Sequence, residues 1–358
     1  VTAQGDINSK THELDIRFAG DELDIGSINP ILSSFNPKNG SNDKERERTD
    51  FPIEGIAYLR GDADMGARIS GTWDNPTVAG RLTAFNVRVG KFESERVEGV
   101  VNASRDRVVV RQGNVLLTPG FITFSALIDG LGNMESKPPT VAVTAQVEKM
   151  NLSRLLKMAG VQASRAPLTG SLSTGEISLT GTTKDIQTRT PAHITINNLT
   201  VGDLPLVRTE IDLSLRDKTA IIEKAVAEIA QGAITAQGTL ANDGTLKLNI
   251  GAEKLDIASL LAPYQTSEDL TTLQGKLFAR ASVSGKIDDP AANLHLQATD
   301  LQYQTYPFGL LNVAANYRQR NVVVENATLG ELGSTEGRVY LSGLNYDIDK
   351  KSIEGKAG

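Results

Sequence analysis

The sequence predicts an all-β protein with short helices, an elongated and curled antiparallel sheet that forms an open apolar trough. Three observations predict it. Apolar and polar residues alternate over many short segments, the signature of half-buried strands. Turn residues such as Asn242-Asp243-Gly244, Asp129-Gly130, Asp74-Asn75-Pro76 and Asp288-Asp289-Pro290 punctuate those segments. And the same landmarks recur in one order along the chain.

The strands follow from alternation. "HELDIRFAG" places Leu14, Ile16 and Phe18 on one face and Glu13, Asp15 and Arg17 on the other. The strand after the Asp-Asn-Pro turn carries Leu82. "TVAVTAQVE" aligns Val141, Val143 and Val147, and "ITINNL" aligns Ile194 and Ile196. Leu213 precedes a basic turn. "TLKLNIGAE" aligns Leu246, Leu248 and Ile250, and "LHLQATDL" aligns Leu294 and Leu296. These fifteen residues are the candidate groove lining.

Helices are few. "NLSRLLKMA" from Asn151 and "DIASLLAPY" from Asp256 open on good N-cap residues, whose side chains accept an early backbone N–H. A third copy over 24–35 is interrupted by Pro30. The polar stretch "NPKNGSNDKERERTD" after it reads as a flexible loop.

The repeat is the strongest signal. "VTAQG" at Val1–Gly5 returns as "ITAQG" at Ile234–Gly238, and "LDI" at Leu23–Ile25 returns at Leu255–Ile257. "GTWDNP" at Gly71 recurs as "GKIDDP" at Gly285 and, more loosely, as "GTTKDIQTRTP" at Gly181. Each is followed by Asn86-Val87, Asp300-Leu301 or Asn198-Leu199, then by a basic turn at Arg105, Arg318 or Arg216, then by Gly120, Gly333 or Gly232. Units open at Gly55, Gly170 and Gly275, a period of roughly 105 residues. The expected organisation is the later part of a preceding repeat plus charged loop over 1–50, units over 51–166 and 167–272, and a truncated unit over 273–358. Each unit is expected to hold six to eight strands in meander order. All together they would make one continuous groove, cut from a longer array, whose exposed sheet edges invite self-association.

Composition narrows function. Apolar residues are 39% of the 358, so apolar surface is spent on one face of each element. A net charge of −6 argues against nucleic acid as partner. With no Cys, disulfides, thiolate metal sites and Cys nucleophiles are excluded. No apolar run is long enough to span a bilayer as a helix, and no signal peptide is read at the start.

Single motifs add little chemistry. His193 and His295 hold equivalent places, shared by Arg81, on the polar side of strands, and His12 stands in a turn. Asp62/Asp64 and Asp288/Asp289 have the oxygen donors that calcium prefers, but turn chemistry accounts for them more simply. The basic turns at Arg105, Arg216 and Arg318 could face anionic headgroups, though solubility is the plainer reading. No nucleophile elbow, zinc-protease or phosphate-loop pattern is present, so no enzyme, cofactor or metal is expected. A lining of Val, Leu, Ile and Ala suits phospholipid acyl chains. Burying a CH₂ gains about 0.8 kcal/mol, so a tail of some sixteen carbons gains on the order of 10 kcal/mol.

The pattern G-x-x-D-N-P-x-x-x-G-x-L-x-x-x-N-V over Gly71–Val87, echoed over Gly285–Leu301, resembles the repeats of the AsmA-like family, which includes the TamB proteins of the translocation and assembly module. The unit at 167–272 departs from it, because "TKDIQTRTP" replaces the short turn. The resemblance implies a β-taco, or repeating β-groove, in the periplasm of a diderm bacterium, anchored in the inner membrane by a segment not seen in this sequence. It implies a bridge-like protein that conducts phospholipid between inner and outer membranes and meets an outer-membrane barrel partner. The alternative function is a scaffold for outer-membrane barrel assembly by strand addition.

Overall fold

The computed structural model describes residues 1–28, 59–89, 92–133, 137–154, 168–182, 185–264, 273–330, 339–349 and 352–357. The fold is all-β with short helices. Two compact units make up the chain: Val1–Arg165 with Ser171–Thr190, and Ala166–Gly170 with Pro191–Gly358. The expected loop at 36–50, the opening Gly55 and the landmark Gly333 lie outside the described residues.

The first unit contains β1 (Thr2–Asn8), β2 (Glu13–Asp24), β3 (Leu59–Thr72), β4 (Asn75–Val89), β5 (Phe92–Ser104), β6 (Arg107–Leu116), β7 (Phe121–Asp129), β8 (Thr140–Asn151) and most of β9 (Leu168–Thr182). The second contains most of β10 (Asp185–Val201), then β11 (Leu204–Arg216), β12 (Thr219–Ile229), β13 (Gly232–Leu240), β14 (Thr245–Asp256) and β15 (Leu273–Lys286). It continues through β16 (Asp289–Tyr303), β17 (Tyr306–Arg318), β18 (Asn321–Gly330), β19 (Val339–Asp347) and β20 (Ser352–Ala357).

In each unit every strand pairs antiparallel with its neighbour in the chain, giving a meander. Among the described residues β1 pairs with β2 alone and β20 with β19 alone, so the strands do not close into a barrel. Among the described residues, six strands fall in each of the spans 51–166, 167–272 and 273–358.

The turns obey local chemistry. Asp217-Lys218, Ala230-Gln231 and Gln319-Arg320 have both central residues at left-handed φ, the geometry of the two-residue hairpin that matches strand twist. At Asp243 the carboxylate holds both the N–H and the hydroxyl of Thr245, each at 2.9 Å.

A second local feature explains the Asn-Val landmark. Asn86, Asn198 and Asp300 all sit at left-handed φ of 51°, 51° and 53°, a conformation that Asn and Asp tolerate best among residues with a side chain. Beside them in the preceding strand stand Gly61, Gly170 and Gly275. Gly61, rather than Gly55, therefore holds the place of Gly170 and Gly275. At Gly61 and Gly275 the register slips by one residue, the mark of a β-bulge. Residues three apart then share a face. Ala84 and Val87 both join the cluster around Ala63, and Ala298 and Leu301 both join that around Ile257.

The short helices close these clusters. α1 (Ile257–Leu261) is capped by Asp256, whose carboxylate accepts the Ser259 N–H at 2.9 Å. Its Ile257 and Leu261 pack on Leu273, Leu277, Ala298, Leu301, Leu311 and Leu329. After β2 the corresponding residues form a single 3-10 turn, Ile25–Ile28, and Ile25 packs on Ala63, Ala84 and Val87. Asn151 accepts the Arg154 N–H at 3.1 Å, and helix is described there only over 152–154.

Candidate functional site

Residues directly opposite each other in an antiparallel pair point to the same side of the sheet. The registers therefore trace rows of side chains across many strands. In the second unit Ile194 faces Ile211, which faces Ala225, then Ala236, Ile250, Ala281, Leu294, Ala315, Val324 and Leu344. Ten strands contribute and every residue is apolar. The next row runs Leu213, Ile222, Gly238, Leu248, Val283, Ala292, Tyr317 and Val322. On the other side lie Ile196, Thr209, Ala227, Ile234, Ala252, Ala279, Leu296 and Val313. Leu246 sits between Leu240 and Gly285 in a further row.

The first unit repeats the arrangement. Ile16 faces Ile69, followed by Val78, Ala103, Val108, Ile128 and Val141. Phe18 leads through Ala67, Gly80, Val101, Val110 and Ala126 to Val143. Leu14 lies between Ile7 and Gly71, and Leu82 between Met65 and Gly99. Val147 faces Ile122, at the end of a row from Ala63.

The fifteen candidate lining residues thus fall on the apolar face of their units. Ile196 and Val147 are buried, and the other thirteen are half-buried. Such partial exposure of Leu and Ile inside a sheet means that neighbouring strands cover their flanks while their tips stay accessible. α1 packs on the row that passes through Leu277, Ala298, Leu311 and Leu329, and on Leu273 and Leu301 beyond it.

The opposite face carries most of the polar and charged side chains, some of them paired. Arg68 grips Asp15 through two hydrogen bonds of 2.7 Å, which hold the Asp15 carboxyl below its ordinary value. His193 Nδ1 lies 2.7 Å from Asp212. His12, His295 and Arg81 are exposed. Asp64 accepts the N–H of Glu22, a left-handed residue of β2, at 3.0 Å, so its carboxylate serves the backbone. Asp288 and Asp289 form an exposed turn. No cluster of three His, Asp or Glu side chains suited to a metal occurs among the described residues.

Alternation alone did not single out one feature of this polar face. Gln237, Asn249, Ser282, Asn293 and Asn316 form a row of amides and a hydroxyl across five strands. It lines a hollow of about 980 Å³ together with Glu223, Lys224, Arg280 and His295, and with Ala225, Ala236, Ile250 and Ala281 of the first apolar row. The signal was there in the polar members of each alternating segment, but it needs the register to become a row.

No family model matches the chain, and neither a curated protein nor a solved structure matches it. Among the described residues no helix is long and apolar enough to cross a membrane.

Proposed function

We propose that this chain is a lipid-conducting segment of a bridge-like protein of the AsmA-like kind, which carries phospholipid between the inner and outer membranes of a diderm bacterium. The observation that carries the reading is the unbroken apolar row from Ile194 to Leu344, one of several side by side. Acyl chains lie against these rows and headgroups remain in water. Each CH₂ removed from water contributes about 0.8 kcal/mol, so tails are retained. Neighbouring rows are mostly aliphatic, so moving from strand to strand changes little in energy. Conduction of this sort needs no acid, base or nucleophile, and the protein acts without chemistry.

The test is extraction. The chain, expressed in the periplasm of a diderm host and purified without detergent, should carry phospholipid detectable by native mass spectrometry. Protein free of lipid, but carrying extended peptide along a strand edge, would instead support the assembly-scaffold reading.

A further inference from the structure

The polar face of the second unit carries a depression that lipid conduction does not use. The hollow of about 980 Å³ over Gln237, Asn249, Ser282, Asn293 and Asn316 adjoins a second of about 480 Å³, and Gly251, Glu253, Arg280 and His295 line both. The next row of the same face runs Thr235, Gly251, Arg280, His295, Ala314 and Asn326. Every member of these two rows lines one hollow or both. Of the apolar face, Ile250 and Leu296 reach them, but Leu248, Val283 and Leu294 line neither. The depression therefore opens on the polar side, and the small residues Gly251 and Ala314 leave room within it.

Its lining is rich in carboxamides. Gln237, Asn249, Asn293 and Asn316 belong to the first row, Asn326 to the second, and Gln297 pairs with Asn312 in a third. A carboxamide both donates and accepts, as a hydroxyl does, so such a row matches a series of hydroxyls. Adjacent strands lie about 4.8 Å apart, so five of them spread the first row over about 19 Å, which suits an extended chain of rings better than a single sugar. Three carboxylates, Glu223, Glu253 and Glu325, stand against two cations, Lys224 and Arg280, which leaves no basic surface for a polyanion. Each strand from β13 to β17 is paired on both sides, so no peptide can join them by strand addition.

The first unit lacks this row. The register that aligns Gln237, Asn249, Ser282, Asn293 and Asn316 aligns Gln4, Arg17, Arg68, Ala79 and Asn102 there, and Asp15 holds Arg68 through two hydrogen bonds. The repeat therefore folds without the amides, and their assembly in one unit is not a requirement of the sheet. We infer that the depression on the second unit binds an extended, uncharged oligosaccharide, whose hydroxyls lie along the amide row. The site stands on the face away from the apolar rows and is independent of the lipid-conducting reading.

Cellotetraose and chitotetraose, two uncharged linear sugars, are titrated into the chain and binding is followed by calorimetry, with circular dichroism to verify that each variant is folded. At least one of the two should bind saturably. Ser282→Arg and Asn249→Arg place in the row the residues that the first unit has there, and each should weaken binding at least about tenfold, because a site built to pair with hydroxyls discriminates strongly once its partners are lost. Ser284→Arg lies on the same face of β15, one row outside the depression, and should change binding less than about twofold. No saturable binding of either sugar by the folded chain overturns the inference. So does equal weakening by Ser282→Arg and Ser284→Arg, or tighter binding of a sulphated heparin tetrasaccharide than of both uncharged sugars.

Discussion

Ile257 rests on Gly275: its Cδ1 lies 3.2 Å from the point where a Cβ on that glycine would stand. Ile25 stands in the same relation to Gly61, also at 3.2 Å. The two isoleucines end the repeated "LDI", and the two glycines open the strand that follows. Both glycines have φ well inside the region that side chains avoid, +136° and +144°. One local solution, a helical residue seated on a glycine bulge, thus appears in each unit.

Gly275→Ala should be costly. The new Cβ would stand 2.9 Å from the Thr299 carbonyl oxygen, at a φ unfavourable to alanine. Chemical denaturation should show a loss of about 1–3 kcal/mol. Gly66→Ala is the control, because nothing lies within 4 Å of its Cβ position. It should shift stability by less than about 0.5 kcal/mol.

The docking of α1 should weaken in acid. The Ser259 N–H, the Ser259 hydroxyl and Lys276 hold the Asp256 carboxyl below its ordinary value of 3.8. A lowered folded-state pKa means that the contribution is present above the unfolded value and fades as pH falls through the folded one. Hydrogen exchange at the Ser259 amide should therefore gain relative protection at neutral pH and lose it below about pH 4. Asp256→Asn keeps an acceptor without the charge and should abolish that pH dependence. Asp256→Ala should cost about 0.5–2 kcal/mol at neutral pH.

Thr209 interrupts an otherwise apolar row. It is 5% exposed, and its Oγ1 finds no hydrogen-bond partner among the described residues. Thr209→Val keeps the shape and removes the unpaired hydroxyl. Thermal unfolding should show a gain of about 1 kcal/mol. A loss would mean that the hydroxyl is satisfied in solution.

Gln231 pays a steric cost at φ 60°, as the second residue of the β12–β13 hairpin. Gln231→Gly removes that cost, and denaturation should move up by about 0.5–1 kcal/mol. No change would indicate that the freer unfolded chain offsets the relief.

Much of this architecture is legible in the sequence, because period-two alternation is a direct consequence of one-sided burial. The alternation in "TLKLNIGAE" is enough to put Leu246, Leu248 and Ile250 together. The "Asn-Val" and "Asp-Leu" landmarks were visible as spacing, but their cause was not. A left-handed residue beside a glycine is a backbone event, and identity of the flanking letters does not reveal φ. For that reason Gly55 looked like the counterpart of Gly170 when Gly61 holds that place. The rows themselves depend on register, which bulges reset, so the polar row through Asn249 could not be drawn before the strands were paired.

The central claim is that acyl chains lie on the apolar face, and two adjacent residues on β14 test it most directly. Leu248 belongs to an apolar row, whereas its neighbour Lys247 points to the other side and is exposed. Binding of a headgroup-labelled fluorescent phospholipid is measured for Leu248→Asp and Lys247→Asp against the unaltered chain. Leu248→Asp should weaken binding at least about tenfold, because a carboxylate would be buried against hydrocarbon, and Lys247→Asp should change it less than about twofold. Equal effects of the two substitutions, or none from Leu248→Asp, would contradict the claim.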